Sequence, residues 1–202
     1  YIKCDIGDAA SVESAFNEFK KSSKGLDILI NNAGIGSLTT VEHETDEMWH
    51  KVLNINVVGT ARVSKQAIPL LRASQHAAIV NTASIAATDG IPNRAAYSAS
   101  KGAVMTLTLA MATDHLADGI RVNAVNPATT DTPWVKRLLD QSEDAQAARV
   151  ALEARQPMGR LVSPAEIASA IIFLASPLQA SVTGTAISIA VSYTHLTLPT
   201  KA

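Results

Sequence analysis

Short apolar runs alternate with longer amphipathic stretches along this chain. Ala10 to Ser22 sets Val12, Ala15, Phe16 and Phe19 on one face at helical spacing. Leu26 to Ile30 is a compact apolar strand running into Asn31-Asn32-Ala33-Gly34. Thr45 opens a long helix that runs towards Leu71, with Asp46 and Glu47 complementing the positive end of its dipole. Trp49, Leu53, Val57 and Val63 are expected to face inward from it. Ala77 to Val80 is the next strand, Ala95 to Ala117 a helix rich in Ala, Leu and Met, and Ile120 to Val125 another strand. Pro127 to Leu161 is polar and loop-rich around a helical stretch from Asp144 to Ala154. Ser163-Pro164-Ala165-Glu166 has the form of a capping box with proline at the first helical position, and the helix continues to about Ala175. Ala186 to Ala190 is a final strand, and Tyr1 to Cys4 reads as a strand tail.

Alternation of this kind predicts an α/β fold: a doubly wound, Rossmann-like parallel sheet in a single domain. The strands are apolar throughout, as a sheet covered on both faces requires. Composition adds little to that. Apolar residues make up 47% and charged residues 17%, which suggests that another subunit covers part of the exterior. A net charge of −1 without a basic block gives no reason to expect nucleic acid. Cys4 is the lone cysteine, so an internal disulfide and a multi-cysteine metal site are excluded, and no metal is expected. Its reading is that of a small hydrophobe in a reducing, cytoplasmic setting. No segment reaches the roughly 20 apolar residues of a membrane helix. The opening Tyr1-Ile2-Lys3-Cys4 looks like the inside of a domain.

The sharpest chemical signal is Tyr97-Ser98-Ala99-Ser100-Lys101 at a helix start. Residues four apart share a face, so a phenol and an ammonium meet at one site. A positive charge favours phenolate, and such a tyrosine can exchange a proton with an alcohol while hydride moves at the adjacent carbon. Ser84 closes the strand Ala78 to Thr82, at the carboxyl end where open α/β sheets place ligands. Its hydroxyl could hold the substrate oxygen. Asn54 and Asn56 sit inside a helical pattern that disfavours asparagine, and a buried one could carry a water relay. Lying two apart, at most one of them faces the site.

These features, with Asn31-Asn32-Ala33-Gly34, Asn54-Ile55-Asn56-Val57-Val58-Gly59 and Arg121-Val122-Asn123-Ala124-Val125-Asn126-Pro127, resemble in order and spacing the classical short-chain dehydrogenase/reductases over about residues 1 to 189. The resemblance implies Tyr97 as general acid/base, with Lys101 lowering its pKa and binding the nicotinamide ribose. It implies Ser84 as the residue that orients substrate, and Asn56 as holder of a water linking Lys101 to solvent. Asp5 and Ile6 would flank the adenine, and Asn32, Ala33 and Gly34 would line the adenosine side. Pro127, Thr130 and Thr132 would meet the nicotinamide carboxamide. The cofactor implied is NAD or NADP, with NAD slightly preferred. Relatives are commonly tetramers built on the two long helices, so a homo-oligomer is expected, acting on a small alcohol, ketone, sugar, sugar acid or hydroxy acid. A non-catalytic nucleotide sensor and an epimerase or dehydratase are the alternatives.

Departures from the family pattern carry expectations too. Its glycine-rich phosphate loop is not in this sequence, and the first recognisable element matches the family's third strand. The fold is therefore expected to lack the first two strands, leaving Leu26 to Ile30 as a bare edge. Residues 190–202, His195 included, resemble translated adapter sequence and are expected to be non-native. Ala128 stands where the family usually has glycine, and it fits only if its φ is negative. Trp134 to Leu161 is expected to form a substrate lid. The chain as written is expected to bind cofactor poorly, and a micromolar affinity measured on it by titration would refute that.

Overall fold

The computed structural model describes residues 1–140, 142 and 144–191. A four-stranded parallel sheet is built from β1 (Ile28–Asn31), β2 (Ala78–Thr82), β3 (Arg121–Pro127) and β4 (Ala186–Ile189), in that spatial order. The helices are α1 (Ala9–Ser22), α2 (Asp46–Leu53), α3 (Thr60–Leu71), α4 (Ala95–Asp114), α5 (Pro133–Leu139), α6 (Ala145–Ala154) and α7 (Pro164–Ala175). Neighbouring strand residues feed opposite faces. Ile79 and Val122 pack with Ala67 and Leu71 of α3 and Met111 and Ala112 of α4. Val80 and Val125 pack with Ile167, Leu174 and Ala175 of α7. The sheet is thus doubly wound, as the strand–helix alternation predicts.

Three sequence expectations are corrected. Tyr1 to Cys4 is not part of a strand, because nothing in the described sheet lies beyond β1 to pair with it. The same bare edge leaves Ile28 and Ile30 at 43% and 37% exposure, on the face opposite Leu29. The long helix is not uniform: Asn54–Gly59 forms a π segment between α2 and α3. Its buried side is Val52, Asn56, Thr60, Ser64, Ala67 and Leu71, while Trp49, Leu53, Val57 and Val63 are half-buried at the margins. Small side chains follow one another along this side, where α2 and the π segment pack against α4 and α3 packs against α1 and β1. Finally, α5 lies inside the segment read as loop.

Helix starts follow the sequence cues. The Thr45 side chain accepts from Met48 N, and Ser163 and Glu166 complete the capping box of α7. Ala128 is not among the residues with positive φ, so alanine sits there unstrained. Of the tail, Ala190 and Val191 are buried, with Val191 at φ 42° where glycine is at home. Ser192 to Ala202, with His195, lies outside the described residues. No helix among the described residues is long and apolar enough to cross a membrane.

The Arg-Val-Asn run has a structural reason. Arg121 and Asn123 project to the same side of β3. The Arg121 Nη1 donates to Leu174 O and Val182 O at 2.7 and 3.2 Å, and Nη2 donates to Ala175 O and Ser176 O at 3.2 and 3.1 Å. These are chiefly the orphan carbonyls at the end of α7, where a cation also suits the dipole. Asn123 accepts from Thr185 N at 3.1 Å and donates to Val182 O at 2.8 Å, fixing the turn into β4. Arg121→Met leaves those carbonyls unpaired and should cost about 2–4 kcal/mol, read as a lower urea midpoint.

Candidate active site

The site lies at the carboxyl ends of β1 and β2, where open α/β sheets bind ligands. Three segments approach closely there. The Asn56 side chain, 1% exposed, donates from Nδ2 to Ile35 O at 2.8 Å and to Ser100 Oγ at 2.9 Å, and accepts from Ile35 N at 2.8 Å. It thereby ties the exit of β1 and the start of α4 to the π segment. Gly34 lies between Asn56 and Lys101: a Cβ there would sit 3.1 Å from Asn56 Oδ1 and 3.4 Å from Lys101 Nζ. Only a glycine lets these side chains close in without shifting. π turns recur at functional sites because they turn a side chain out of helical register. Asn54 points elsewhere, its Nδ2 donating to Gly7 O at 2.9 Å. The expectation that the two asparagines diverge matches this geometry.

Lys101 is 5% exposed and donates to Thr82 O at 2.6 Å, with its Nζ 5.8 Å from the centre of the Tyr97 ring. Burial pulls its ammonium down to about 8 from an ordinary 10.5. Burial also pushes the Tyr97 phenol up, while its hydrogen-bonding neighbour Ser84 and the Arg94 guanidinium pull it down. A phenol below its ordinary value is therefore not what the protein alone produces, and the charge that favours phenolate here is that of Arg94. Ser84 is 7% exposed and accepts from Ala86 N at 3.1 Å. The structure thus brings Ser84, Tyr97, Lys101 and Asn56 together.

The other predicted residues have partners of their own. Asp5 turns its carboxylate onto Gly7 N at 2.8 Å, and its own N–H donates to Ser11 Oγ at 2.9 Å. Ile6 packs where a Cβ on Gly59 would meet it at 3.0 Å, and Arg62 donates to Ile6 O at 3.2 Å. Asn32 Oδ1 accepts from Thr82 Oγ1 at 3.2 Å, and Asn32, Ala33 and Gly34 are exposed at the strand end. Pro127 closes β3. Thr130 donates to Ala128 O at 3.0 Å, and Thr132 accepts from Val135 N at 3.4 Å. Lys101 tests whether a nicotinamide nucleotide fits: a nearly buried ammonium with one hydrogen-bond partner among the described residues keeps N–H groups for the hydroxyls of a ligand. The residues present fit that group.

Sequence reasoning missed a buried polar chain under the site. Asn31 donates to Asn81 Oδ1 at 2.8 Å and to Ser64 Oγ at 3.1 Å, and Asn81 donates to Thr108 Oγ1 at 2.9 Å. The signal was a polar residue within otherwise apolar strands. Arg94, three residues before Tyr97 on the same helical face, and Trp134 were missed as well. A Cβ on Gly36 would lie 3.5 Å from Trp134 Cζ2 and 3.8 Å from Tyr97 Cδ2, so both rings border that loop.

A parallel doubly wound sheet with a serine, tyrosine and lysine converging at its carboxyl edge defines a nicotinamide-dependent oxidoreductase. Residues 1–193 match the family described as Enoyl-(Acyl carrier protein) reductase, and the chain belongs to the short-chain dehydrogenase/reductases. It is 39% identical over 188 residues to a 2-(S)-hydroxypropyl-CoM dehydrogenase of Xanthobacter autotrophicus, covering 92% of this chain and 72% of that protein. It is 37% identical over 195 residues to a cis-4-hydroxycyclohexanecarboxylate dehydrogenase of Sinomonas cyclohexanicum, covering 96% and 76%. The ligand-free aldohexose dehydrogenase of Thermoplasma acidophilum superposes with a TM-score of 0.92 at 32% identity, over 100% of this chain and 80% of that one. An actinorhodin polyketide ketoreductase with NADPH gives 0.89 at 30% identity, over 96% and 77%. An NAD+-bound xylitol dehydrogenase gives 0.83 at 30%, over 93% and 76%. The cofactor of this family of folds is NAD or NADP.

Lys101→Met tests the buried charge. Between pH 8 and 10.5 the native state sheds the Lys101 proton while the unfolded chain keeps it, so the parent gains stability as pH rises through that window. At pH 7 the variant should be the more stable by up to about 3 kcal/mol, less the bond to Thr82 O. Urea unfolding at several pH values should show the gap closing above pH 8.

Proposed function

We propose that the protein moves a hydride between a nicotinamide cofactor and the carbinol or carbonyl carbon of a small secondary alcohol or ketone, with Tyr97 as general acid/base. The observation that carries this reading is the meeting of Tyr97, Ser84 and Lys101 in a water-poor corner at the sheet's carboxyl edge. When bound, the nicotinamide supplies the two-electron chemistry that no side chain offers. Ser84 holds the substrate oxygen, and Tyr97 Oη takes the alcohol proton in oxidation and returns it in reduction. Lys101 offers its free N–H groups to the ribose hydroxyls, and the charge of Arg94 favours phenolate.

Asn56 Nδ2 and Oδ1 are already bound to Ile35 and Ser100, so any relay water is held by the remaining lone pairs of the amide and by the backbone rather than by a free side chain. Asp5, Ile6, Asn32, Ala33 and Gly34 form the adenosine side, and Pro127, Thr130 and Thr132 the carboxamide side. The hydroxy acid named for one relative keeps such acids among the candidate substrates.

The protein acts in the cytoplasm as a homo-oligomer, a tetramer by family likeness. In support, Val58 and Leu109 are exposed along the long helices. An apolar groove between α3 and α4, lined by Ala61, Ile68, Pro69, Leu107 and Met111, offers a second copy its seat. Residues 1–189 form part of a short-chain dehydrogenase/reductase domain.

Tyr97→Phe in the complete gene product should lower kcat by roughly 10²–10⁴-fold while cofactor affinity, read by nicotinamide fluorescence, stays within a few-fold. Retained turnover would remove Tyr97 from the chemistry.

A further inference from the structure

The substrate side of the site holds charge that proton transfer to an alcohol leaves unexplained. Arg94 occupies the N-cap of α4, where the helix dipole opposes a cation, and it makes no side-chain cap bond. By contrast, α2, α6 and α7 start on Thr45, Asp144 and Ser163, each capping a backbone N–H. Asn93, at φ 57°, turns the chain into this unusual start.

The Arg94 guanidinium is half-buried and held in place. Its Nη1 donates to Ser37 O at 3.2 Å and to Asn93 O at 3.5 Å. Among the described residues neither Nε nor Nη2 has an acceptor, and no carboxylate lies within salt-bridge distance. Burial lowers its pKa, the neighbouring Tyr97 phenol raises it, and the charge of Arg155 at the end of α6 lowers it. Arg155 has no ion pair among the described residues either. Ser37, 6% exposed, keeps an unpartnered Oγ beside them. Tyr97 stands on the same helical face, about one turn or roughly 5 Å along.

A fixed fork of unused N–H donors without an anion partner among the described residues matches the planar geometry of a carboxylate or a similar oxyanion. We propose that Arg94 binds an anionic group of the substrate. The preferred substrates are then short secondary alcohols carrying a carboxylate or sulfonate near the carbinol carbon. This rests on the dehydrogenase reading above and narrows its substrate class.

The test compares 3-hydroxybutyrate, 2-hydroxypropanesulfonate and neutral 3-hydroxybutyramide in the complete gene product. The parent should favour an acid over the amide in kcat/KM. Arg94→Gln should lower that acid-to-amide ratio on the order of 10- to 100-fold, mostly through KM, and Arg94→Lys should recover part of it. The ratio is the readout because Arg94 also favours the Tyr97 phenolate, so its loss slows both substrates. No preference in the parent, or an unchanged ratio in Arg94→Gln, overturns the proposal, and which acid responds separates carboxylate from sulfonate. If no alcohol or ketone changes the cofactor's absorbance, the dehydrogenase reading fails. Quenching of tryptophan fluorescence, Trp134 bordering the site, then decides the anion site alone. Saturable quenching by butyrate or methanesulfonate that Arg94→Gln abolishes supports it, while equal quenching by butyramide, or none by either anion, overturns it.

Discussion

Asn56 has almost no access to solvent, and its amide reaches two other chain segments at once. Every donor and acceptor it buries must be matched inside the protein, so the exit of β1, the π segment and the first turn of α4 hold a fixed relation. Gly34 occupies the space between that amide and Lys101, and Gly59 gives way to Ile6 on the far side of the same segment. An ordinary α-helical register through Asn54–Gly59 would rotate Asn56 away from Ile35 and open the corner where Tyr97 and Lys101 stand. The π turn is what lets one helix serve two neighbours, with Asn54 and Arg62 gripping the Ile6–Gly7 segment and Asn56 gripping the active corner.

The electrostatics follow from that closeness. The chain has a formal net charge of −1, yet its site gathers Lys101 and Arg94, neither paired with a carboxylate among the described residues. Burial disfavours both the ammonium of Lys101 and the phenolate of Tyr97, which pulls the lysine down to about 8 and pushes the phenol up. Both groups are thereby driven towards their uncharged forms, and only the lysine moves towards the working pH. The unmatched positive charge in turn favours ligands that bring oxygen-rich or anionic groups.

Much of this was legible beforehand. The apolar runs located all four strands, and the Thr45 and Ser163 signals located two helix starts, because strand burial and capping are local effects. Ser84, Tyr97 and Lys101 could be read because strand end and helix spacing alone bring them together. The π segment could not, since no local propensity encodes it; the poor helix formers Asn54 and Asn56 were its only trace. The inward face of the long helix was misjudged for a related reason. Hydrophobic size picks out Trp49 and Leu53, whereas the buried side is made of Gly59 against Ile6, Thr60 bonded to Asn56 O, Ser64 bonded to Asn31, and Ala67. Helix α5 spans seven residues, too few for periodicity to declare itself.

Chemistry and selectivity occupy different parts of the molecule. Ser84, Tyr97 and Lys101 are anchored to the sheet and α4, whereas Trp134 and Arg155 belong to α5 and the end of α6. That pair of helices has a small core of its own, Val135, Leu139 and Leu161 with Ala148 and Leu152, and Arg149 ties it to Asp131 through a 2.7 Å bond. It joins the sheet through the Thr130–Val162 bridge and the bond from Gln156 to Thr129 at 3.3 Å. A unit packed on itself and pinned beside the last turn of β3 can change its outer residues without disturbing the proton-transfer group. Arg94 bridges the two parts, since it stands on the helix of Tyr97 and senses the charge of Arg155.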